Sequence, residues 1–322
     1  MDRKGFENYL KSHKWSDQQI LDAFIIVTSF EEFMQSRTQQ RPAEMEDVWA
    51  FSRMLISEKR NTPENYVALV RYGFFIKDDL LFLGMMEIVD GEESLRNLHE
   101  KLEHLFDEET LDYVFQDYGV PPLGLPTPEK PAYTAAVLQR LSERFDEPSY
   151  KNLIKDSLRD LPVEAYGDIK RQFEESAGLD KFLQKRGDQF LDQMETLYKD
   201  GRPFFSQPVT ADVLDYLKSH PEITHGEQDG SIVYEVKIPF LTDQLVHETD
   251  LNLKKYYYCH CPWARESLIN PEVTVPAIFC NCSAGFHKKK WEVIFEQPIK
   301  AEVLESILMG DERCRFAIHL PV

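Results

Sequence analysis

Apolar residues along the first 200 positions recur every three or four residues, the spacing of helices that bury one stripe. Ser16-Asp17-Gln18-Gln19 has the form of a capping box, and Ile20, Leu21, Phe24, Ile25 and Val27 follow it at helical spacing. The pattern continues through 64–86 and 92–106. It is interrupted at Gly119-Val120-Pro121-Pro122-Leu123-Gly124-Leu125-Pro126-Thr127-Pro128, where four prolines and two glycines in ten residues suit neither a helix nor a central strand. Helical spacing resumes from Tyr133 to about Lys199, with Phe182, Leu183, Phe190, Leu191, Met194 and Leu197 on the apolar stripe.

After Gly201-Arg202-Pro203 the period changes. Thr210 is placed to cap a short helix that His220-Pro221 ends. Asp229-Gly230 opens a strand in which Ile232, Tyr234, Val236 and Ile238 alternate with Val233, Glu235 and Lys237. Leu253 to Cys261 and Val275 to Cys282 read as two more strands, and Ser283 as the cap of a helix holding Phe286, Trp291, Ile294 and Phe295. The end reads as a hairpin, Ile299 to Leu308 and Cys314 to Leu320 around Gly310-Asp311-Glu312. The expected fold class is α+β: a mostly helical amino-terminal region, then an α+β domain whose antiparallel sheet carries the cysteines. The expected division is a helical domain over 1–120, a Pro-rich linker over 121–131, a helical segment over 132–200 packing on the α+β domain, and that α+β domain over 201–322.

Composition narrows the class. With 42% hydrophobic and 29% charged residues, the chain can build a core and is not a disordered polymer. No apolar run reaches the roughly 18 residues that span a bilayer, so no membrane association is expected. The first residues lack the apolar stretch of a secretory signal, which makes the cytoplasm the expected location. The net charge of −19 is concentrated in residues 1–200, which carry 25 basic and 39 acidic side chains against 12 and 17 in the remainder. That charge repels phosphate backbones and argues against a nucleic-acid partner. A homo-oligomer is compatible with this composition.

The five cysteines, Cys259, Cys261, Cys280, Cys282 and Cys314, all fall within the last 64 residues. In a reducing compartment such a cluster points to metal or thiol chemistry before disulfides. Cys259-His260-Cys261 and Cys280-Asn281-Cys282 are two C-x-C pairs separated by eighteen residues. On strands, each pair would show two sulfurs to one side, and two adjacent strands would offer the four thiolates that zinc takes. Cys314 is a competing ligand, and so is His260 if the chain bends there. The plain alternative is that the cysteines pack as small hydrophobes. Cys282 also lies near a predicted helix start, with Lys288, Lys289 and Lys290 following, an environment that favours a thiolate nucleophile as much as a metal ligand.

Rings surround this cluster in sequence. Tyr258, Trp263, Phe286 and Trp291, with His260, Arg265 and His287 as polar anchors, have the make-up of a small-molecule pocket. For any one of these rings taken singly, simple core packing is the favoured reading.

Several of these residues form a recognisable run: Cys282-Ser283-Ala284-Gly285-Phe286, Trp291-Glu292, Pro298-Ile299, Glu302, Gly310-Asp311 and Cys314-Arg315-Phe316. The run resembles the 4-vinyl reductase domain family over about residues 201–320, with its specific motifs in about the last 45. The resemblance implies an α+β domain that binds small, often apolar molecules in sensors of aromatic compounds and in tetrapyrrole-related proteins, some of them holding structural zinc through cysteines. Carried over, Cys282 and Cys314 match cysteine ligands. Ser306, eight residues before Cys314, stands where that family has a further cysteine, so another thiol would have to complete the site. The chain is similar, more faintly, to bacterial 2-amino-thiazoline-4-carboxylate hydrolases. The leading expectation is thus a cytoplasmic, sensor-like, small-molecule-binding protein with a cysteine-ligated zinc. The alternative is a metal- or cysteine-dependent hydrolase or lyase acting on a small heterocyclic or thiol-containing substrate, with no catalytic residue fixed by any motif.

Overall fold

The computed structural model describes residues 1–38, 41–116, 119–155, 157, 163–205 and 207–321. Its contacts separate two compact units. One comprises Met1–Glu92 with Pro121–Lys130, the other Glu93–Val120 with Pro131–Val322. Residues 93–120 thus belong with the carboxy-terminal region and 121–130 with the amino-terminal one, a different division from a single cut at the Pro-rich stretch. Among the described residues no helix is long and apolar enough to cross a membrane.

The first unit holds α1 (Arg3–Ser12), α2 (Asp17–Arg37), α3 (Met45–Ser57), α4 (Pro63–Ile76) and α5 (Asp79–Val89). The Ser16 capping box forms as its sequence predicts, with the Gln19 N–H on the Ser16 hydroxyl at 3.3 Å and the Ser16 N–H on the Gln19 side chain at 2.9 Å. Phe6, Leu10, Val27, Val48, Phe51, Leu55 and Leu69 are completely buried at its centre. The Pro-rich segment folds into this unit: the Ser52 hydroxyl donates to the Gly124 carbonyl at 2.5 Å and shares a hydrogen bond with Tyr66 at 2.6 Å. Gly124 has φ +89°, and a Cβ there would fall 1.7 Å from the Tyr66 hydroxyl, so only glycine fits.

The second unit runs through α6 (Glu93–Leu105), α7 (Glu108–Phe115), α8 (Lys130–Arg144), α9 (Glu147–Lys155), α10 (Gly167–Glu174), α11 (Leu179–Asp200), α12 (Ala211–Ser219) and α13 (Pro221–Thr224). There follow β1 (Glu227–Asp229), β2 (Ile232–Val236), α14 (Thr242–His247), α15 (Leu251–Tyr258), α16 (Asn281–Phe295), β3 (Lys300–Glu305) and β4 (Arg315–His319). The four strands form an antiparallel sheet in the order β1-β2-β4-β3. The fold class is therefore the expected α+β, with a mostly helical amino-terminal region. The Thr210 cap, the strand at Ile232 and the closing hairpin all form.

Two expected strands do not. Leu253 to Cys261 is instead helix α15 followed by a turn, because Asp250 caps it, its carboxylate accepting from the N–H groups of Asn252 at 2.8 Å and Leu253 at 3.0 Å. Val275 to Cys282 contains Pro276, which starts a 3-10 turn over Ala277–Cys280 that runs directly into α16. One face of the sheet packs on α16: Val233, Phe316 and Ile318 meet Ala284, Trp291 and Ile294, and Phe182 of α11 completes the cluster. Gly285 lets α9 approach α16, since a Cβ at that position would lie 1.6 Å from the Lys155 carbonyl oxygen.

Candidate thiol site

With both C-x-C pairs off the sheet, the picture of four sulfurs on two neighbouring strands is corrected. Cys259 and Cys261 lie just past the end of α15, Cys280 closes the 3-10 turn, Cys282 sits in the first turn of α16, and Cys314 directly precedes β4. Each of the other four thiols is an electrostatic neighbour of Cys259, and Cys261 also neighbours Cys280 and Cys282, while Cys280 neighbours Cys314. Cys259 and Cys282 are buried and the other three half-buried.

Polar hydrogens favour the anionic form of four of these sulfurs. They come from the Cys261 N–H beside Cys259, the Ser306 hydroxyl beside Cys280, the N–H and hydroxyl of Ser283 beside Cys282, and the Ile307 N–H beside Cys314. Two cations adjoin the patch. Lys237 donates to the Ser283 hydroxyl at 3.0 Å, and its own N–H donates to the Cys314 carbonyl at 3.0 Å. Arg265 is 1% exposed, its guanidinium lying 4.3 Å from the Phe240 ring centroid and 5.0 Å from that of Tyr256.

Burial nonetheless dominates the free thiols. It pushes Cys282 and Cys314 up to about 11 and raises Cys259, Cys261 and Cys280 as well, with Lys237 opposing at Cys282. The expectation of a low-pKa thiol at the start of α16 is thus corrected: desolvation outweighs Lys237 and the Ser283 donors. The donor set suits a soft metal, since thiolates carrying N–H and O–H donors beside cations are the ligands such ions take. The spacing is that of an open patch, because among the described residues no three cysteine sulfurs lie within 4.8 Å of one another. The group that meets that distance is Asp212, Asp243 and His247, a cluster at the surface where Thr210 donates to Asp243 at 2.6 Å.

The remaining residues expected near the site are spread between it and the core. The His260 ring turns to the Ile238 carbonyl at 2.6 Å, and burial drops its pKa to about 3, so it is a neutral ring directed at backbone. Tyr258 is 3% exposed and donates to the Lys237 carbonyl at 2.7 Å. Trp263 packs edge-on to Tyr133, and Trp291 packs among Phe173, Phe182 and Phe295. Phe286 meets His287 edge to face, and His287 stacks on Phe316 at 4.4 Å.

Sequence reading misses Glu235. On β2 it shares a face with Val233 and Lys237, turned toward α16. Its carboxylate accepts from His287 Nδ1 at 2.6 Å, Lys290 Nζ at 2.7 Å and Trp291 Nε1 at 2.8 Å. Burial alone would raise its pKa, but Lys290 and His287 reverse this and hold the carboxyl well below the usual range. The available signal was His287, Lys290 and Trp291 recurring at helical spacing opposite a lone strand acid.

Residues 243–321 match the model of a family of unknown function, DUF6144. The match spans α14 through β4 and so includes all five cysteines. No curated protein and no solved structure matches the chain.

Proposed function

We propose that the second unit is a sensor-like, small-molecule-binding domain, cytoplasmic and without a nucleic-acid partner, that holds a zinc ion through cysteine thiolates. The ligands are Cys259, Cys261, Cys280 and Cys282, with Cys314 able to substitute. One observation carries this reading: the other four cysteines, from three separate segments, are all electrostatic neighbours of Cys259, with Lys237 and Arg265 beside it. A zinc–thiolate centre is anionic, and flanking cations offset that charge. Its chemistry here is structural, tying the turn after α15, the start of α16 and the approach to β4 into one body. The resemblance to 4-vinyl reductase domains supports the same reading, and Ser306 lies beside Cys280, within the patch that its counterpart would occupy.

Elemental analysis of the purified chain tests it. About one zinc per chain is expected, and Cys259→Ser should lose metal and thermal stability together. Wild-type protein free of metal, with a Cys259→Ser variant of unchanged stability, overturns it. The hydrolase or lyase reading gains from one feature, the exchangeable fifth thiol: three sulfurs and a water on zinc would make the ion catalytic. Counting sulfur ligands by X-ray absorption separates the two.

A further inference from the structure

We draw no further inference here: the strongest candidate, the Asp212, Asp243 and His247 cluster on the surface between α12 and α14, is an acidic cluster whose histidine already pairs with Asp212 at 3.2 Å and with the Asp243 carbonyl at 2.7 Å, and nothing else among the described residues points to a ligand there.

Discussion

In the first unit, Val27, Phe51, Leu55 and Leu69 fill the interior, and buried polar groups such as Asp47 and Ser52 serve to close turns. The Arg41 and Arg37 guanidiniums hold the Asp47 carboxyl far below its usual range while it caps α3. The second unit encloses, besides its aromatic core, five thiols, the Arg265 guanidinium and the Glu235 carboxylate. Polar groups that close turns are what any helical bundle needs. Groups buried at the cost of desolvation and not used for closing turns are where function concentrates. In the second unit those groups lie on β2, at the start of α16 and around the turn after α15.

The sharpest way to break that contrast is to remove Glu235. Glu235→Ala strands Lys290 and His287 and leaves the Trp291 N–H without its acceptor, and should cost about 3–5 kcal/mol in urea denaturation. A loss below about 1 kcal/mol would make the network ornamental. In the first unit, Leu69→Ala should cost about 2–5 kcal/mol through lost burial and the cavity left behind. Chelation should leave that cost unchanged, since no thiol lies in that unit.

Acid sharpens the comparison further. Burial depresses the His287 pKa despite Glu235, so the unfolded chain takes up its proton first as pH falls below 6.5, and the stability this group contributes above that value is lost. Glu235, also depressed, adds a second decline below 4.5. Urea midpoints between pH 8 and pH 3 should fall in that order, and Glu235→Gln should shrink the lower step, to which Asp47 and the other depressed carboxylates also contribute. A flat profile would mean that neither group is buried in solution. The smallest effect is expected from Ser306→Cys, which places a sixth sulfur beside Cys280. It should change stability by less than about 1 kcal/mol while tightening zinc binding, read by competition with a chromogenic chelator.

The local signals were legible. Ser16 with Gln19, Thr210, the alternation through Ile232–Val236 and the turn at Gly310-Asp311 each act within a few residues, and each formed as read. The strands read through Tyr256-Tyr257-Tyr258 and Val275 failed because β-favouring side chains were weighed above Asp250 and Pro276, whose capping and backbone constraints prevail. How near the cysteines lie to one another depends on how three segments meet, which neither strand nor helix signals report. Glu235 stayed hidden for a related reason. A strand's alternation shows two faces, but only the packing of α16 shows that Val233 and Glu235 are on the covered one.

The most direct test of the thiol site is the metal-to-chain ratio of protein purified without chelator, set beside the same measurement on Cys259→Ser. About one zinc per wild-type chain, and none in the variant, is the predicted result. A wild-type chain without metal would contradict it.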